Sequence, residues 1–276
     1  MARTASAVGL IALLLPAGQL AAAPRLGQWI WCAADRRHFE EAVARHPAIV
    51  PGVLVGTITV RDGQARLHRG LSPDSVASPS GVVPVIRFED GFHGVWTAPD
   101  APAQRERVAA TIEAVVTAAE RTGVEVTEVQ LDYDCPTSRL RDWAGFLRAL
   151  RGGALADRQV WITSIPAHLD EPRYGDWFRP VVAGHVLQVF DTGVPPSRRN
   201  VARLVALARR HDLPFRIGLG AFERLASDHA GWHAGWFDRV DRFARDPRFA
   251  GVWVFPAGRS WEAAIPPTLR ALEGRR

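Results

Sequence analysis

Residues 125–136 read Glu125-Val126-Thr127-Glu128-Val129-Gln130-Leu131-Asp132-Tyr133-Asp134-Cys135-Pro136. The run alternates with the period of a β-strand, so Gln130, Asp132 and Asp134 share one face while Val129, Leu131 and Tyr133 share the other. Two carboxylates at neighbouring same-face positions stand about 6.5–7 Å apart, where like charges repel and one pKa rises. That is one way to keep a carboxyl group protonated near neutral pH. The competing reading is structural: one aspartate caps the next helix and the other pairs with an arginine.

Outward from this strand the chain keeps alternating. Strand-like apolar runs lie at 27–32, 52–60, 82–89, 125–134, 159–165, 185–191, 214–221 and 251–255. Helical periodicity occupies 36–45, 102–122, 138–150, 196–211, 233–244 and 260–272. Apolar strands that alternate with helices form a parallel sheet covered by those helices, and eight repeats favour closure over an open sheet. The expected fold is α/β, a single (β/α)8 TIM-like barrel over residues 25–276. Two stretches break the repeat. Residues 61–81 are polar, carry Asp62-Gly63, and read as a hairpin or long loop replacing the second helix. Residues 166–184 show no clean helix, only an aromatic-rich run with Tyr174, Trp177 and Phe178.

In such a barrel the C-terminal ends of the strands form the mouth, and residues there are the ones to inspect. The third strand ends Arg87-Phe88-Glu89, with Arg87 and Glu89 on one face. Arg87 is placed either to hold an aspartate of the fourth strand in its ionised form or to make an ordinary ion pair with Glu89 or Asp132. The sixth strand closes with Gln188 and Asp191, suited to sugar hydroxyls or an amide, Asp191 being equally a turn residue beside Thr192 and Gly193. Trp253 on the eighth strand is a candidate floor for a sugar ring, and of Trp29 and Trp31, which share a face, at least one belongs to the core. The chemistry these residues suggest is hydrolysis of a glycosidic bond. Asp134 is the candidate proton donor, Asp132 its partner, and Glu89 a base from across the mouth. Arg87, Gln130, Tyr133, Gln188, Asp191 and Trp253 are candidate substrate contacts. At about 6.5 Å, the spacing of Asp132 and Asp134 sits at the lower limit for an inverting pair.

The pattern Gln130-x-Asp132-x-Asp134 resembles the D-x-D-x-E strand end of family 18 chitinase-like glycosidases. There the final Glu protonates the leaving oxygen, the substrate's N-acetyl group is the nucleophile, and a late-strand tryptophan, here matched by Trp253, floors the sugar subsite. This chain has Gln130 in place of the first Asp, and Asp134 shortens the acid by one methylene. A closer resemblance over nearly the whole region after residue 24 is to a family of bacterial exported proteins known as DUF3142. It rests on residues 129–140, Val129-Gln130-Leu131-Asp132-Tyr133-Asp134-Cys135-Pro136-Thr137-Ser138-Arg139-Leu140, on Trp161-Ile162-Thr163-Ser164-Ile165-Pro166, and on Leu187-Gln188-Val189-Phe190-Asp191. Together these resemblances imply a glycosidase-like barrel acting on an envelope or extracellular polysaccharide. The alternative is a carbohydrate-binding or envelope structural protein that kept the barrel without turnover.

Composition narrows the field. All 34 basic residues are arginine, which excludes Schiff-base, P-loop and kinase-type lysine chemistry. A net charge of +5 over 276 residues, with arginines spread among acidic residues, gives no support to nucleic-acid binding. Gly218-Leu219-Gly220 lacks a third glycine, since Glu223 stands in its place, so no nucleotide is expected. His229 and His233 have helical i, i+4 spacing without the Glu of a zincin, so neither a metal nor any other cofactor is expected. Ten tryptophans suit an aromatic-lined cleft. Residues 1–24 carry Arg3, an apolar run over 8–15 and Ala21-Ala22-Ala23, the order of a signal peptide, cleaved or retained as an anchor. Export to the periplasm or outside the cell follows, with the protein a monomer that touches a membrane only through that segment. Cys32 and Cys135 read as two free buried thiols, a single disulfide being the other option.

Overall fold

The structure is a computed structural model that describes residues 24–274 except 62–63, 77, 98–99, 125 and 223–231. Its first strand, β1 (Arg25–Ile30), leads into α1 (Ala33–Arg45), β2 (Val50–Arg61), β3 (Gln64–Arg69) and β4 (Val83–Phe88). Then come α2 (Gly94–Thr97), α3 (Ala101–Arg121), β5 (Glu128–Tyr133), α4 (Leu140–Arg151), β6 (Gln159–Ser164), α5 (Pro166–Asp170) and α6 (Tyr174–Phe178). The last third holds β7 (Gly184–Gln188), α7 (Arg198–His211), β8 (Phe215–Gly220), α8 (Trp232–Phe237), α9 (Val240–Ala244), β9 (Phe249–Phe255) and α10 (Ile265–Glu273). Eight strands pair in parallel in the order β1-β2-β4-β5-β6-β7-β8-β9, and β9 pairs back onto β1 to close the ring. The stretch at 61–81, expected as a hairpin or long loop, begins as a hairpin: β3 pairs antiparallel with the second half of β2, on the edge that β1 leaves free beyond Ile30. The Asp62-Gly63 turn lies outside the described residues.

The strands owe their apolar character to burial on both faces. On β5 every residue is buried; Val129, Leu131 and Tyr133 join an outer core with Val108 and Ile112 of α3 and Leu147 of α4. The same core explains α4, whose Leu140, Trp143, Ala144, Leu147 and Leu150 recur at helical spacing and turn Arg141, Asp142 and Arg148 to the outside. Inside the ring a second core holds Trp29, Val50, Val83, Val85, Trp161, Val186 and Trp253. Its large rings fit because glycines face them: a Cβ at Gly27 or Gly52 would lie 2.7 or 2.3 Å from the Trp253 ring, and one at Gly184 would lie 2.5 Å from Trp161. Below them, at the N-terminal ends of the strands, Glu128 of β5 meets Arg216 of β8 in a bidentate pair, each side chain 3% exposed. Arg25 adds a 3.3 Å contact to the same carboxylate, and the Arg216 guanidinium lies 3.6 Å from the Trp161 ring centroid.

Three expectations change. Residues 166–184 contain two short helices, α5 and α6, with Pro166 opening the first and Tyr174 and Phe178 forming the buried side of the second. The expected helix at 233–244 is interrupted at 238–239 and becomes α8 and α9. Cys32 is exposed, Cys135 alone is buried, and both are free thiols. Residues 1–23, and with them nearly all of the expected signal segment, lie outside the described residues. Among the described residues no helix is long and apolar enough to cross a membrane.

Candidate active site

Arg87 on β4 and Asp132 on β5 are direct neighbours in the sheet register, and alternation turns both into the ring. The Arg87 guanidinium lies 3.3 Å from one Asp132 oxygen; Gln188 of β7 donates to the other at 3.5 Å. Between them, on β6, the Thr163 hydroxyl accepts from the Tyr133 backbone N–H at 2.9 Å and also hydrogen-bonds Asp132. Asp132 is 3% exposed. Burial pushes its pKa up to about 6, the nearby Asp134 charge adds to the rise, and Arg87, Thr163 and Gln188 oppose it. One position beyond the end of β5, Asp134 emerges at the lip and is exposed. Its pKa is also raised, first by loss of solvent around it and then by the Asp90 charge, with Arg87 pulling the other way.

Asp134 lines a cleft of about 690 Å³ at the C-terminal mouth, with Arg87 and Gln188 beside it. Aromatic rings supply part of the surface: Trp29, Trp31, Phe190 and Phe255. Trp31 packs 4.8 Å from Phe255 and carries the Arg87 guanidinium 4.9 Å from its ring centroid. Its mounting is rigid. The buried Asp35 carboxylate accepts from the Trp31 backbone N–H at 2.9 Å and from the Gly258 N–H at 2.6 Å, tying the loops after β1 and β9 together. At the rim Asp170 pairs with Arg203, and Asp191, at φ 53°, lies 3.5 Å from His233 Nε2.

The structure thus brings Arg87, Asp134, Gln188 and Asp191 to one cleft, with Asp132 directly behind them. Four other candidates sit elsewhere. Gln130 is one layer deeper, 1% exposed, and accepts from the Trp29 indole N–H at 2.9 Å, so it holds an aromatic wall in place. Tyr133 faces outward, 1% exposed, with its ring centroid 5.6 Å from Phe92 and 5.3 Å from Trp143. Trp253 is fully buried under Trp29, 5.8 Å away, and the exposed aromatic surface comes from the layer above it. Glu89 is exposed but does not line the cleft; its neighbour Asp90 is the acid whose charge reaches Asp134. Sequence reasoning passed over Thr163, Phe190 and Asp90. Phe190 was within reach of the alternation rule, since it follows Gln188 by two. His229 lies outside the described residues, and among the described residues no group of three or more His, Cys, Asp or Glu side chains is arranged to hold a metal ion.

The geometry offers a protonatable carboxyl at an open lip, a second carboxyl fixed behind it, and flat apolar walls on which a sugar ring can stack. The fold is shared with glycosidase barrels. The spore cortex-lytic enzyme SleL of Bacillus megaterium QM B1551 superposes with a TM-score of 0.61 at 9% identity, over 91% of this chain and 74% of that one. A fungal endo-β-N-acetylglucosaminidase of glycosyl hydrolase family 18 gives 0.62 at 14% identity, over 89% and 97% of the two chains. The chitinase of Chromobacterium violaceum ATCC 12472 gives 0.62 at 12% identity, over 91% and 99%. Comparison with curated protein sequences finds no match. Residues 80–231, which include β4, β5 and β7 with Arg87, Asp132, Asp134 and Gln188, match the profile described as Domain of unknown function (DUF3142), and the chain belongs to that family.

Proposed function

We propose that this protein is a glycoside hydrolase acting on an envelope or extracellular polysaccharide, with Asp134 as its acid. The observation that carries this reading is the placement of Asp134: a carboxyl of raised pKa, exposed at the lip of an aromatic-walled cleft, with no arginine partner among the described ion pairs. In the proposed step Asp134 gives its proton to the glycosidic oxygen as the bond from that oxygen to the sugar carbon breaks. Asp132, whose proton affinity is also raised, shares or returns that proton and, when ionised, offsets positive charge at the sugar carbon. Glu89 has no part in this scheme. The family 18 resemblance supplies the nucleophile: the oxygen of the substrate's own N-acetyl group bonds to the sugar carbon as the leaving oxygen takes Asp134's proton, and water then attacks that carbon, frees the N-acetyl group and gives its proton to the Asp134 carboxylate. Residues 1–24 would deliver the protein beyond the cytoplasm, where such polymers lie.

A second reading has its own support. Aspartate stands where the resembling enzymes carry glutamate, and a displaced proton is costly to catalysis; the same cleft would then bind carbohydrate without cleaving it. Hydrolysis of a polysaccharide panel by wild type and Asp134→Asn decides between them. The expected outcome is turnover by wild type and a loss of about 10²–10⁴-fold in the variant with retained binding. Binding without turnover by both proteins supports the second reading, and equal turnover by both removes Asp134 from the chemistry.

A further inference from the structure

Outside the barrel wall, a groove of about 720 Å³ runs between α4, α6, Trp96 of α2 and Arg105 of α3. Arg105, Arg139, Arg141, Arg148 and Arg173 line it, against only two acids, Asp142 and Asp176. Arg139 lies 3.5 Å from Asp142, whereas no ion pair is described for Arg105, Arg141 or Arg148. Trp96 and Trp177 form its aromatic walls, both partly buried, with Arg173 5.5 Å from the Trp177 ring centroid. Its floor stays open at Gly145, where a Cβ would meet nothing within 4 Å. Along the chain, residues 135–138 separate Arg139 of this groove from Asp134 of the cleft.

We propose that this groove binds an acidic polysaccharide, one whose sugars carry carboxylate groups. Free guanidinium forks match carboxylates in a planar, two-point geometry, and indole faces accept the apolar face of a sugar ring. Spacing suits carboxylates presented by every second sugar of a chain. Arg141 and Arg148 are two helical turns apart on one side of α4, about 10 Å along its axis, close to the length of a disaccharide unit. A nucleic acid presents a charge every ~1.7 Å along a duplex and would bring many phosphates against Asp142 and Asp176. Those two carboxylates instead suit sugar hydroxyls, which donate to them. The choice of a glycan over other anions rests on the proposed glycosidase reading of the barrel, while the groove's residues are separate from those of the cleft.

Calorimetric titration with a size-defined oligogalacturonate at about 0.15 M salt tests the proposal. Wild type is expected to bind it saturably, and Arg141→Ser/Arg148→Ser to bind at least about tenfold more weakly. A control variant, Arg198→Ser/Arg242→Ser, removes the same charge from the α7 and α9 surface and is expected to stay within about twofold of wild type. Thermal unfolding of each variant checks that these exposed substitutions leave the fold intact. Absence of saturable binding by wild type, equal weakening in both double variants, or equally tight binding of a single-stranded oligonucleotide of matched charge would overturn the assignment. Oligogalacturonate binding is read without turnover and the panel hydrolysis without the groove variants, so failure here and failure of the hydrolase reading show up in different assays.

Discussion

Asp132 is the residue in which burial and function compete. Its folded pKa of about 6 stands above the ordinary 3.8, so between those values the folded protein holds a proton that the unfolded chain has released. Stability from this group is therefore present at the acid side and lost as pH rises through about 6, by on the order of 2–3 kcal/mol. Buried His168 and His185, with pKa values lowered to about 4 and 3, act in the opposite sense, costing stability as pH falls below 6.5. The difference between wild type and Asp132→Asn isolates the aspartate: urea unfolding from about pH 4 to about pH 7 is expected to show the variant gaining on wild type as pH rises to about 6 and a constant difference above it. Parallel profiles would mean that Arg87 and Gln188 already compensate the buried charge. Single-residue alternation on β5 and β7 was enough to sort Asp132, Asp134 and Gln188 onto the inner face. It could not give depth. Gln130 and Trp253 point the same way but sit a layer lower, and that layer depends on the stagger between strands, which no single strand encodes. For Tyr133 the same alternation already indicated the outer face, where the ring is packed.

At the scale of elements, the strands and long helices were legible because each repeats its apolar pattern over enough residues to show a period. Helices as short as α5 and α6 complete too little of the pattern, and their aromatic residues look like loop anchors until Tyr174 and Phe178 are seen packed together, ring centroids 4.6 Å apart. Hidden too was the pairing of bulky with absent side chains across strands. Trp253 on β9 needs Gly27 on β1 and Gly52 on β2, three segments far apart in the chain. Gly52→Ala would set a methyl carbon 2.3 Å from the Trp253 ring and is expected to destabilise the protein by about 1–3 kcal/mol. Combined with Trp253→Leu, the same alanine should cost measurably less, a coupling that a double-mutant cycle in denaturant reads directly. Additive losses would show that the ring moves aside without penalty.

For the molecule as a whole, closure of the ring depends on groups at its base as well as on the sheet. Glu128 and Arg216 come from strands three places apart in the ring and are buried together, with Arg25 at the edge. Glu128→Gln would leave the Arg216 charge buried with weakened compensation, and an expected loss on the order of 3–5 kcal/mol should appear in equilibrium unfolding. A Glu128→Leu/Arg216→Met pair, which removes both charges, should recover most of that loss; no recovery would assign the stabilisation to shape alone. The eight-strand count made closure readable from the chain, whereas this ion pair joins residues 88 positions apart and carried no local pattern to announce it. The bolt has a consequence for traffic. Among the described residues the lower end is stoppered by guanidinium, carboxylate and indole, so a polymer that served as the proposed substrate would be draped over the top instead of threaded through the axis, and its fragments would depart by the way they came.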